Sequence, residues 1–155
     1  MGIEIEKKFL LANDNWRSRV VKSIAFRQGY LASSEKSSVR VRIEGGEANI
    51  NIKSATLGVR RQEYEYPIPL DDAQEMLSSI CNKPLVEKTR HYVPCGDKYW
   101  DIDEFLGDNA GLIVAEIELQ DEDEHFDKPD WLGQEVSHDK RYYNSLLAVN
   151  PFKSW

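Results

Sequence analysis

Apolar and polar side chains alternate along most of this chain with a period of two, the spacing that sends successive residues to opposite faces of a β-strand. The pattern predicts eight strands, over residues 3–10, 25–31, 38–44, 48–54, 59–68, 86–94, 98–105 and 112–120. Glu44-Gly45-Gly46-Glu47 and Cys95-Gly96-Asp97 read as tight hairpin turns, so the strands they join are antiparallel neighbours. Pro67 and Pro94 fall where strands end, the places where proline removes no ladder hydrogen bond. Helical spacing is scarcer. Asn13 or Asp14 caps a helix carrying Trp16, Val20, Val21 and Ile24, and Asp71-Asp72 opens a second with Met76, Leu77 and Ile80 as its buried stripe. A third is predicted over 139–149, while Asp121-Glu122-Asp123-Glu124 reads as a solvated turn or helix start.

What alternates is more informative than the alternation. Residues 3, 5 and 9 are apolar while Glu4, Glu6 and Lys8 share the opposite face of the first strand. Arg40 and Arg42 form the polar stripe of the third strand and Lys53 that of the fourth. Arg61, Glu63 and Glu65 line the fifth, Lys88 and Arg90 the sixth, Asp101 and Asp103 the seventh, Glu116 and Glu118 the eighth. Together these stripes hold eight acids and seven bases. Two architectures accommodate them. An open antiparallel sheet would pack its apolar face on helices and wet its charged face. A closed barrel would turn the charges inward and cover its apolar outside with the three helices. In the barrel the interior must stay hydrated or hold a charged ligand, because burying ions dry costs several kcal/mol each.

Composition narrows the partner. A chain of 155 residues suits one compact domain, and no linker, repeat or low-complexity tract divides residues 1–155. Twenty Lys and Arg against 27 Asp and Glu give a net charge of -7, the wrong sign for a nucleic-acid or anionic-membrane surface. No run approaches the roughly 18 apolar residues of a membrane span, and the acidic start is unlike a signal peptide, so a cytoplasmic location is expected. Cys81 and Cys95 have neither a disulfide framework nor metal spacing, and His91, His125 and His138 stand on separate elements, which makes zinc improbable. The four tryptophans read as core or docking residues. Several arginines and lysines facing one cavity suit a polyphosphate, since guanidinium forks match phosphate oxygens. Carboxylates would repel that ligand unless they hold a hard divalent cation, Mg²⁺ or Mn²⁺, that arrives with it.

Glu4-Ile5-Glu6-Lys7-Lys8 resembles the ExExK signature of the CYTH superfamily, the triphosphate tunnel metalloenzymes. The resemblance extends in order through Gln28-Gly29-Tyr30-Leu31, Val39-Arg40-Val41-Arg42, Ile52-Lys53-Ser54, Arg61-Gln62-Glu63-Tyr64-Glu65, Glu87-Lys88-Thr89-Arg90, Trp100-Asp101-Ile102-Asp103, Glu116-Ile117-Glu118 and Asp139-Lys140-Arg141-Tyr142. It implies an α+β fold whose eight antiparallel strands close into a tunnel with a charged interior. It further implies Glu4, Glu6, Glu116 and Glu118 as metal carboxylates, with Glu63 and Glu65 as further metal or water-positioning acids. Lys8, Arg40, Arg42, Lys53, Lys88 and Arg90 are implied as phosphate ligands. Asp103 and Arg141 are implied as members of the metal and phosphate sets respectively.

The small bacterial branch pairs a tyrosine and a lysine matching Tyr30 and Lys53 as the base that activates water. Crowding of Lys53 by Arg40, Arg42 and Lys88 is expected to favour its neutral amine. The branch points to hydrolysis of inorganic tripolyphosphate, and no insertion offers room for a nucleobase. A class IV adenylate cyclase-like activity, a thiamine or nucleoside triphosphatase, and a non-catalytic polyphosphate-binding module are the rivals. Pairing into a homodimer through a sheet edge or helix face stays open.

Overall fold

Nine strands carry the chain in the computed structural model, which describes residues 2–155. They are β1 (Ile3–Leu11), β2 (Lys22–Ser33), β3 (Ser37–Glu44), β4 (Glu47–Ser54), β5 (Arg60–Pro67), β6 (Val86–Cys95), β7 (Lys98–Phe105), β8 (Ile113–Leu119) and β9 (Leu132–Glu135). The first eight pair antiparallel in the cyclic order β1-β5-β4-β3-β2-β6-β7-β8, with β8 returning to β1. The sheet is therefore a closed barrel with two α-helices outside it, α1 (Leu70–Ser79) and α2 (Asn144–Leu147). Closure removes the free edges that an open sheet would expose.

Both expected hairpins form, and Gly45 and Gly96 take the positive φ of 58° and 63° that such turns need. β1 divides one edge between two partners. Ile3, Glu4 and Ile5 pair with Gln62, Arg61 and Arg60 of β5, whereas Phe9 and Leu11 pair with Glu135 and Leu132 of β9. Four residues with a glycine among them are too few to register as alternation, which is why β9 lies outside the predicted strands.

Apolar stripes point outward, as the closed alternative requires. Ile5, Phe9, Trp100, Ile102 and Ile117 form one buried cluster with Trp16 and Trp131. Val41, Ile43 and Ala48 pack beneath Ala73 and Leu77 of α1, and Val86, Phe105 and Val114 beneath Tyr142 and Leu147. Trp155 instead stacks on the outside, edge-on to Tyr142 and Phe152.

Two of the three predicted helices are corrected. The segment after Asp14 makes only a 3-10 turn, Asn15–Arg19, and Ile24 belongs to β2. Val20 is already extended, and the pairing of Lys22 with Tyr92 of β6 draws the following residues into the sheet. The stretch 139–149 is likewise broken into a 3-10 turn at Lys140–Tyr142, an extended Tyr143 and the four residues of α2. Tyr143 is extended, and its hydroxyl is fixed from two sides, accepting from the Gly58 N–H at 3.1 Å and donating to the Ser137 carbonyl at 2.8 Å.

Gly29 explains one residue of the Gln-Gly-Tyr-Leu block. A Cβ there would lie 2.7 Å from Leu85 Cδ2 and 2.9 Å from Cys81 Cβ, so the close approach of the chain after α1 to β2 depends on its absence. Gly29→Ala is expected to lower stability by about 1–3 kcal/mol, the usual cost of overpacking, measured by chemical denaturation.

Candidate active site

The barrel interior encloses a cavity of about 240 Å³. All seven bases of the strand stripes line it: Lys8, Arg40, Arg42, Lys53, Arg61, Lys88 and Arg90. So do seven of the eight acids: Glu4, Glu6, Glu63, Glu65, Asp101, Glu116 and Glu118. β2 supplies a different face, because its inward residues are not charged. Tyr30 lines the cavity, and the Phe26 ring lies beneath the Arg42 and Arg90 guanidinium carbons at 4.8 and 4.7 Å and the Lys88 ammonium at 5.6 Å. An aromatic face attracts cations, so Phe26 helps gather three of them at one place.

Strand order segregates the charges. β5, β1 and β8 are consecutive around the barrel and carry Glu63, Glu65, Glu4, Glu6, Glu116 and Glu118. β3, β2 and β6 are also consecutive and carry Arg40, Arg42, Lys88 and Arg90. One wall is thus mainly anionic, with Lys8 and Arg61 set among its carboxylates, and another cationic. Lys53 bridges them from β4, with its ammonium 3.1 Å from Glu4 and 3.4 Å from Glu63. Lys8 lies 3.7 Å from Glu116, and Asn51 donates to Glu63 and Glu65 at 3.2 and 3.0 Å, fixing both carboxylates.

This geometry reverses the expectation for Lys53. Burial alone would lower its pKa, and Arg40 would too, but Glu4, Glu6 and Glu63 outweigh them and hold the ammonium above the ordinary lysine value. Lys88 is the lysine pushed down, to about 7, by burial and by Arg90 and Arg42, despite its 2.7 Å contact with Asp103.

Asp103 and Arg141 stand apart from the other expected residues. Asp103 is fully buried and does not line the cavity. It accepts from Lys88 at 2.7 Å and from both donors of the Arg90 side-on fork at 2.7 and 2.9 Å, which leaves it no face toward a metal. The Arg141 side chain is 56% exposed outside the barrel, pairing with Asp139 at 2.8 Å and lying over Trp155. Its place in the implied phosphate set is not where the chain puts it, because the 3-10 turn directs it outward.

Six contributors to the cavity were not assigned from the sequence, Ser38 and Ser145 among them. Arg61 and Asp101 belong to recognised stripes. Tyr143 and Asn144 come from the C-terminal segment, with the Arg61 guanidinium 4.2 Å from the Tyr143 ring centre. Asn144 Oδ1 accepts from Gln28 at 3.0 Å and Lys88 at 3.2 Å, contacts between residues 116 and 56 positions apart that no local pattern reveals.

The donor chemistry suits both ligands. Among the described residues Arg40 and Arg61 have no ion-pair partner within 4.0 Å, and the buried Nε atoms of Arg40 and Arg42 have no hydrogen-bond acceptor. Buried Glu4 Oε2 likewise lacks a hydrogen-bond donor, its only close cation being the Lys53 ammonium. Burial, Glu4 and Glu63 together push the Glu118 carboxyl up, a mark of excess negative charge on that wall. Oxygen donors of this kind fit a hard divalent cation. Among the described residues no group of three or more His, Cys, Asp or Glu side chains is arranged to hold an ion.

A closed antiparallel barrel with segregated acids and bases facing a common hollow defines a tunnel built for a polyanion and a cation together. The chain belongs to the CYTH family, whose domain matches residues 2–143 and whose triphosphate tunnel enzymes are metal-dependent. It is 46% identical over its whole length to an inorganic triphosphatase of Acetivibrio thermocellus, covering 99% of that protein. It is 38% identical to an inorganic triphosphatase of Nitrosomonas europaea, with 95% of this chain and 97% of that one covered. A crystal structure of an inorganic triphosphatase superposes with a TM-score of 0.66 at 36% identity over 94% of each chain. A Hippeastrum protein matches at a TM-score of 0.58 and 13% identity over 78% of this chain and 80% of that one, a likeness of fold alone.

Two aspartates on β7 should respond oppositely to substitution. Asp103→Ala leaves the buried Lys88 without its counterion and strips Arg90 of its bidentate partner, and a loss of about 3–5 kcal/mol in denaturation is expected. Asp101 is raised to about 6, by burial first and then by Glu116 and Asp103 against the pull of Arg90. A raised carboxyl means the folded state holds the proton more tightly than the unfolded one, so this group's contribution falls as pH rises from about 4 to 6. Asp101→Asn is therefore expected to melt above the wild type at pH 8 and to lose that advantage at pH 4.

Proposed function

We propose that the barrel hydrolyses inorganic tripolyphosphate to pyrophosphate and phosphate in the cytoplasm, with Mg²⁺ or Mn²⁺ as cofactor. The observation that carries this reading is the pair of opposed walls, one offering guanidinium donors without acceptors and the other carboxylate oxygens. The full-length relatives named for that activity support it. Arg40, Arg42, Arg90, Lys8 and Lys88 grip the phosphoryl oxygens. Glu4, Glu6, Glu116 and Glu118, with Glu63 and Glu65 beside them, hold the cation, which when bound neutralises charge on the transferring phosphoryl group.

Water attacks the terminal phosphorus in line, the P–O bond to the bridging oxygen breaks, and pyrophosphate departs with that oxygen. The cationic wall offsets the charge that shifts onto the leaving group, and such preorganised electrostatics supply most of the acceleration. The water's proton passes to Lys53, directly or through the Tyr30 phenol. Lys53 is held as an ammonium by Glu4, Glu6 and Glu63, and were these carboxylates to hold a cation instead, burial and Arg40 would favour its neutral amine.

Purified protein with Mg²⁺ is expected to release phosphate from tripolyphosphate. Lys53→Ala lowers kcat by about a hundredfold or more, the usual worth of a general base. Glu6→Gln loses turnover that excess metal partly restores. Cyclic AMP from ATP without phosphate release from tripolyphosphate would overturn the reading, as would wild-type turnover in Lys53→Ala and Tyr30→Phe for the base.

A further inference from the structure

The inward stripe of β3 does not end at Arg42. Glu44 continues it at the end of the strand, beside the turn into β4, and does not itself line the cavity. Its carboxylate pairs with Arg42 Nη2 and accepts a 3.1 Å hydrogen bond from Asn49 Nδ2. Arg42 is otherwise poorly compensated. Its side chain is 10% exposed, Arg40 and Arg90 both repel it, and its remaining carboxylate neighbour, Glu65, is 3.8 Å away.

Comparison with Arg90 shows what Glu44 does. Arg90 spends its whole side-on fork, Nε and Nη2 together, on Asp103. Arg42 spends only the Nη2 half, on Glu44, while its buried Nε has no acceptor. A phosphate that takes Arg42 by the side-on fork, Nε with Nη2, competes with the carboxylate for Nη2. Glu44 can give way, because its side chain is 26% exposed at the rim, where water can solvate it, while Asn49 steadies it against Arg42.

We propose that Glu44 is an internal counterion that competes with polyphosphate for Arg42, yielding the fork when the anion enters and recapturing it as product leaves. The proposal rests on the reading of the barrel as a triphosphatase. It makes Glu44 a positioning residue that acts through Arg42 and weakens substrate and product binding alike.

The test is steady-state turnover of inorganic tripolyphosphate at fixed Mg²⁺, with pyrophosphate added as product inhibitor. Glu44→Gln keeps an acceptor for Asn49 but removes the competing charge. KM for tripolyphosphate and Ki for pyrophosphate are expected to fall together, on the order of tenfold, with no gain in kcat. Glu44→Asp restores the wild-type KM. A Glu44→Gln protein that melts normally with KM unchanged or raised overturns the proposal. If that variant does not fold, Asn49→Ala decides by the same comparison, with a smaller fall in KM expected and no fall overturning it. Wild-type protein that neither turns over tripolyphosphate nor responds to pyrophosphate sinks the underlying reading instead.

Discussion

Compensation of charge inside the bore is the constraint on which the rest of this molecule depends. Seven bases and seven acids share a hollow of about 240 Å³, a density of ions that no dry interior could hold. The barrel manages it through alternation: each strand spends its apolar face on the outer core and its charged face on the bore. The clusters around Trp100, under α1 and under Leu147 carry the burial energy, and the interior is left free for chemistry.

Not all of the interior ions have the same standing. Asp103 is enclosed by Lys88 and Arg90 and has no accessible face, so it fixes two cations. Glu4, Arg40 and Arg42 are buried too, yet each keeps an atom without a hydrogen-bond partner. Saturation separates groups that hold the barrel together from groups that await a ligand. β7 shows the contrast within one strand: Asp101 lines the bore with a raised pKa, while two residues on Asp103 is buried and fully hydrogen-bonded.

Much of this was legible in the sequence because a strand's two faces are a local property. The stripes of β1, β3, β4, β5, β6, β7 and β8 could be read one strand at a time, and every base they contain reaches the cavity. Closure could not be read that way, since an open sheet wets the same stripes, and the family resemblance was needed to choose. What stayed hidden depends on partners across the barrel. Lys53 was expected to face cations, but its nearest neighbours are Glu4 and Glu63 from β1 and β5. Arg141 matched a motif and still points outside, because backbone conformation at Lys140–Tyr142 decides its direction. Phe26 and Asn144 carry no charge and so no stripe, although both touch Lys88.

The ring of strands is fastened by a narrow clasp. β2 and β6 are joined through seven register pairs, whereas β1 meets β5 through only three, centred on Glu4 opposite Arg61. Fewest rungs hold the hoop at that clasp, and the β2–β6 seam stands opposite it in the ring. Both clasp residues point into the bore, so a guest gripped between them would act as a rivet, tightening the cylinder at its weakest stitch.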